Sequence, residues 1–112
     1  MTTDPTSVVS AYFACMRAGD ISVVELFHED ATLVGLGTVR SGKEAIREFY
    51  QGTIERAGPS PRSAGPLLVE GNRVAAEILI DLVGGQVIHA MDLFVVEEGR
   101  IRSLTYFLCA SA

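Results

Sequence analysis

The chain is poor in the residue types that mark several functional classes. Histidine occurs twice, at His28 and His89, and cysteine twice, at Cys15 and Cys109. None of these falls into a metal-ligand spacing or a CxxC pair, so neither metal nor redox cofactor is expected. The two thiols read as buried side chains of a reducing, cytoplasmic protein. Lys and Arg number nine against 14 Asp and Glu, are scattered, and leave a formal charge of -5. Without a basic stripe to release counterions, neither nucleic acid nor an anionic membrane is expected as a partner. No apolar run approaches the ~18 residues that span a bilayer. The opening MTTDPTSVVS has no basic segment followed by an apolar one, so no signal peptide is expected. Gly35-Leu36-Gly37 lacks the spacing of a dinucleotide-binding loop.

What is present suits one packed domain over residues 1–112, with 48% hydrophobic residues. Asp4 or Thr6 can cap a first helix, Pro5 fits its opening turn, and Val8, Val9, Tyr12, Phe13 and Met16 form its apolar side. Gly19 stops it, and Asp20 or Ser22 starts a shorter helix through Phe27. Residues 31–34 read as a strand that Gly35 and Gly37 bend or end. Ser41 and Glu44 have capping-box spacing before a third helix that buries Ile46, Phe49, Tyr50 and Ile54. The period then switches to two, with strands expected over 62–70, 73–83, 86–97 and 101–109. Helices first and a meander afterwards give an α+β class, not βαβ alternation.

The Gly84-Gly85 pair reads as a two-residue hairpin turn. Counting outward pairs Asp81 with Ile88, Leu79 with Ala90 and Glu77 with Asp92, so those two carboxyls are expected side by side, with His89 on the opposite face. Asp92 lies inside the apolar run 87–96, where a charge has no structural reason to sit. Both faces of this hairpin carry apolar residues and helices can cover only one. A homodimer is therefore expected.

Tyr12 followed by Arg17-Ala18-Gly19-Asp20, Phe27-His28-Glu29-Asp30-Ala31-Thr32, Gly42-Lys43-Glu44-Ala45-Ile46 with Phe49-Tyr50, Met91-Asp92-Leu93 and Glu98-Gly99-Arg100-Ile101 together resemble bacterial steroid Δ5-isomerases. The wider group is the NTF2-like superfamily with its SnoaL-like members, and the likeness runs over residues 8–108. It implies an NTF2-like, cystatin-like cone: three helices from the N-terminal half packed on a curved, mostly antiparallel sheet that encloses a pocket. It also implies a cofactor-free enzyme moving protons on a hydrophobic cyclic carbonyl ligand of steroid or polyketide type. Tyr12 and Asp92 match the oxyanion-stabilising tyrosine and protonated aspartic acid of that family, and Tyr50 matches the supporting tyrosine. The neutral acid in an apolar site is the ketosteroid isomerase example of general enzymology. Gly35 stands where the family has its general-base aspartate, which makes Glu77 the candidate proton acceptor and Gly35→Asp a substitution expected to restore isomerase activity. Phe27, Leu79, Ala90 and Phe107 are expected to line the pocket with Tyr50. The alternatives are a polyketide cyclase or epoxide hydrolase using Asp92 and Glu77 as acid and base, and a non-catalytic binding or dimerisation module.

Overall fold

In a computed structural model the chain is described over residues 4–109. Helix α1 (Pro5–Ala18) starts where the Asp4 carboxylate accepts from the Thr6 amide at 3.0 Å. It stops at Gly19, whose φ of 63° is the left-handed conformation a glycine adopts without steric cost. A 3-10 helix (Ile21–Leu26) follows, capped by Asp20. Strand β1 (Phe27–Gly35) and a short strand β2 (Thr38–Ser41) form a hairpin that leads into helix α2 (Lys43–Ala57). Beyond it come β3 (Ser60–Ser63), β4 (Leu68–Glu70), β5 (Arg73–Asp81), β6 (Val87–Glu97) and β7 (Arg100–Leu108).

The strands make one sheet in the order β2-β1-β7-β6-β5-β3, with β4 also paired to β5. Only the β1–β7 contact is parallel. Three helices on one curved, open, mostly antiparallel sheet agree with the expected α+β architecture. Their apolar sides, Val8, Val9, Tyr12, Phe13 and Met16 from α1 and Ile46 and Tyr50 from α2, meet the inner face of the sheet at Leu33, Val74, Ile78, Phe94 and Leu104. Removing such side chains from water at roughly 25 cal/mol per Å² is the main force holding the layers together.

Local expectations differ from the structure in five places. Strand β1 begins at Phe27, not Ala31, and β2 was not anticipated because its four residues carry no clear alternation. Ser41 belongs to β2, and α2 starts from Gly42 without a side-chain cap, so the capping box does not form. The single strand expected over 62–70 is two, β3 and β4, separated at Pro66. The β5–β6 loop is Val83-Gly84-Gly85: the Leu82 amide donates to the Gln86 carbonyl at 2.8 Å, closing a three-residue turn. That one extra residue moves the register by one, so Ala76 faces Asp92 and Glu77 faces Met91. A slip of one residue exchanges the two faces of a strand. No helix among the described residues is long and apolar enough to cross a membrane.

Candidate functional site

Between α1, α2 and the inner face of β5–β7 lies a cavity of about 240 Å³. Alternation along the strands delivers Ile78 and Ile80 from β5 and Ile88, Ala90 and Asp92 from β6 to its wall. The exposed side chains of Leu36 and Leu108 mark its mouth. The lining is apolar apart from Thr53, Asp92 and three tyrosines.

Those tyrosines come from three different elements and meet at their hydroxyls. Tyr12 of α1 lies 2.9 Å from Tyr50 of α2 and 2.8 Å from Tyr106 of β7, oxygen to oxygen, and Tyr50 and Tyr106 are 2.5 Å apart. Each phenol has one proton to give, so three contacts among three hydroxyls close as a ring in which every oxygen donates once and accepts once. Phe27, fully buried, packs its ring 6.4 Å from Tyr12 and 5.9 Å from Tyr50. It braces the phenols from behind instead of lining the cavity. Burial holds Tyr12 and Tyr50 well above the ordinary phenol range and raises Tyr106 as well, so all three stay neutral.

Asp92 is 1% exposed, with Ala76 across from it on β5 and Tyr106 across from it on β7. Its Oδ1 finds no hydrogen-bond partner among the protein groups. Burial pushes its carboxyl up to about 8, because a carboxylate loses far more than a neutral acid on leaving water. An orphaned polar atom costs on the order of 1–3 kcal/mol, and such an exception on a cavity wall points to a ligand.

The structure brings Tyr12, Tyr50, Asp92 and Ala90 to the cavity and leaves four expected residues off its wall: Phe27, behind the phenols, and Glu77, Leu79 and Phe107. Glu77 is on the outer face of the sheet, where its Oε2 lies 2.7 Å from His89 Nε2. The shifted hairpin register puts it there, so the expected Glu77–Asp92 carboxyl pair does not exist. Leu79 is opposite His89 and shares that outer face. Phe107, 52% exposed and opposite Met91, lies there too.

Tyr106 is the hydroxyl that the sequence does not single out. Counting outward from the Glu98-Gly99 turn sets Thr105 against Asp92. A bulge between Val95 and Val96 shifts the register and brings Tyr106 there instead. Gly35 bears on the same residue. Its φ is 143°, and a Cβ built on it would stand 2.8 Å from Tyr106 Cβ and 3.0 Å from the Tyr106 carbonyl. The expectation that Gly35→Asp restores a base therefore fails on steric grounds, since Tyr106 already fills the space.

Solved structures share this architecture at low identity. A "putative polyketide cyclase" from Sinorhizobium meliloti aligns with a TM-score of 0.83 and 19% identity, over 94% of this chain and 100% of that one. An NTF2-like protein of unknown function from Cytophaga hutchinsonii aligns with a TM-score of 0.82 and 20% identity, over 97% and 93%. A protein of unknown function with a cystatin-like fold from Methylobium petroleophilum gives a TM-score of 0.82 and 15% identity, over 96% and 77%. These likenesses carry the NTF2-like, cystatin-like fold and nothing finer. The SnoaL-like domain matches residues 9–104, nearly the whole sequence, and the chain belongs to that family.

Proposed function

We propose that this protein is an acid/base enzyme for a small apolar carbonyl compound, with Asp92 moving the proton and the tyrosine ring holding the oxygen. One observation carries the reading: a buried, unpartnered carboxyl shares the wall of an otherwise apolar cavity with three mutually bonded phenols. With its carboxyl near 8, about a tenth of Asp92 is ionised at pH 7, enough for a base whose conjugate acid can return the proton. Asp92 would take a proton from the carbon next to the carbonyl, and the electron pair would pass to oxygen. One phenol then turns its O–H toward that oxygen while still accepting a bond from the next tyrosine. From the enolate two outcomes follow. Asp92 returns its proton to a different carbon, moving the double bond. Otherwise the enolate carbon attacks a second carbonyl of the same molecule, and Asp92 protonates the alkoxide formed as the new ring closes.

The second outcome, ring closure of a polyketide-type substrate, is the better supported. Steroid isomerisation in the manner of the resembling isomerases keeps the Asp92 acid as a neutral donor and so needs a separate base at position 35 or 77, and the two-carboxylate route to epoxide opening needs Glu77 beside Asp92. The cavity is also below the roughly 300–1,000 Å³ that enclose a drug-sized ligand, which suits one or two rings better than four. We further infer that the outer face, with Leu79, Met91, Leu93 and the exposed Phe107, joins a second copy of the chain.

Loss of the α-proton signals of 2-tetralone in deuterated buffer, followed by NMR, tests the chemistry without the natural substrate. The wild type is expected to speed this exchange, with the rate rising as pH climbs to about 8. Asp92→Asn should lower it by on the order of 100-fold or more, and Glu77→Gln should leave it unchanged. Exchange that survives Asp92→Asn, or that fails to exceed buffer alone, defeats the proposal.

A further inference from the structure

Arg40 stands apart from the chemistry described so far. It lies on β2, the terminal strand of the sheet, and pairs across to Leu33, whose side chain is buried against the helices. Cross-strand partners share a face, so the edge arginine is directed inward, toward α2. Its guanidinium carbon sits 4.4 Å above the centre of the Phe49 ring, and Phe49 forms part of the cavity wall. The far neighbour of that ring is Tyr106, 6.4 Å away. A half-buried cation thus lies one aromatic ring from the phenol cluster, behind the Phe49 that forms the wall.

Several other cations are committed, and Arg17 reaches the Pro61 carbonyl. Lys43 and Arg47 both hold Glu25, Arg102 holds Asp30 and Glu97, and Arg62 holds Asp81. Arg40 donates one bond, to the Thr38 hydroxyl, and among the described residues it has no carboxylate partner. A guanidinium has five N–H donors in a planar fork that matches a carboxylate. Stacked on Phe49, it is held with that fork partly free. Its charge is also felt inside, where it pulls the Tyr106 phenol down against the burial that raises it.

We propose that Arg40 is an anion-recognition residue, and that the ligand of the cavity is a carbonyl compound that also bears a carboxylate. This rests on the reading of the cavity given above and adds the substrate's charge to it. The apolar middle of the ligand fills the space beside Ile78, Ile80 and Ala90, its carbonyl oxygen meets the phenol ring, and its carboxylate reaches past Phe49 to the open edge of the guanidinium. For a chain of net charge -5 a free acid would otherwise be a poor ligand, so a preference for one is diagnostic.

The probes are 6- and 7-hydroxy-2-naphthoate, their carboxamides, and 2-naphthol, with affinities read from ligand fluorescence at low and high salt. 2-Naphthol presents only the oxygen for the tyrosines. The two acids add a carboxylate at two angles, and the amides keep the shape without the charge. The wild type should bind at least one acid about tenfold more tightly than its amide, with the margin shrinking in salt. Arg40→Gln should erase that margin and leave 2-naphthol within about twofold, and Arg40→Lys should keep part of it. Equal binding of acid and amide by the wild type overturns the proposal while leaving the cavity reading intact. Arg40→Gln weakening acid, amide and naphthol alike also overturns it, because that result assigns Arg40 to the wall alone. If none of the five compounds binds, the cavity reading itself fails.

Discussion

Strands β5 and β6 place Asp92 on their inner face and Glu77 on their outer one, and the two groups have opposite fates. On the inner face Asp92 is sealed among Ala76, Ala90 and Tyr106 with no protein partner for Oδ1. On the outer face Glu77, half-exposed, lies 2.7 Å from His89. The chemical groups are alike and the sheet is the same. What separates them is access to water and to a hydrogen-bond partner, and burial without either is what keeps the inner carboxyl protonated. Reactivity on this sheet is thus a property of the face, and the face is set by register.

The largest effect that can break this comparison is the pH dependence of stability. Asp92 holds its proton up to about 8 in the folded chain, against about 3.9 for an unfolded aspartate. Between those values the folded state keeps a proton the unfolded state has lost. Its contribution to stability is therefore greatest at low pH and falls by roughly 1.4 kcal/mol per pH unit as pH rises through the window, levelling off above it. Urea denaturation of wild type and Asp92→Asn at several pH values measures the difference. A difference that stays flat from pH 4 to 8 would mean the carboxyl is not buried as described.

A smaller effect comes from the close approach behind the inner face. Gly35→Ala adds a Cβ that must displace Tyr106 and imposes a positive φ on alanine, so a loss of about 1–3 kcal/mol is expected in the same denaturation. Ligand binding should weaken with it. Wild-type stability and affinity in this variant would disconnect Gly35 from the phenol ring. The smallest effect belongs to the outer face. Phe107→Arg should raise the dimer dissociation constant by about tenfold or more in sedimentation, corresponding to roughly 1.4 kcal/mol, while α-proton exchange per subunit stays constant. An unchanged sedimentation profile would remove that face as the contact.

Much of this arrangement was legible in the residues. Asp4 and Gly19 bracket the first helix because a carboxylate satisfies free amides and a glycine accepts the left-handed turn. Asp92 stood out as an acid in an oily strand, and Tyr12 and Tyr50 fell on the buried sides of their helices. What failed were quantities that depend on single residues of register. Two glycines suggested a two-residue turn where the chain makes a three-residue one, and that sent Glu77 and Leu79 to the wrong face, while Phe107 on β7 follows the bulge at Val95–Val96. Tyr106 was hidden by the bulge at Val95–Val96, which leaves no mark in the hydrophobic pattern. Arg40 was passed over for a similar reason, because an edge strand of four residues shows no alternation.

The contact between Gly35 and Tyr106 has a historical consequence. The near atoms are the Cβ and the backbone carbonyl of Tyr106, which almost any residue at 106 would present, and the positive φ at 35 strains every side chain alike. Exchanging the residue at 106 therefore does not by itself admit an acid at 35. A lineage passing between an aspartate-based site and this one must also move the backbone of β1 relative to β7, a change of strand spacing and not of one side chain.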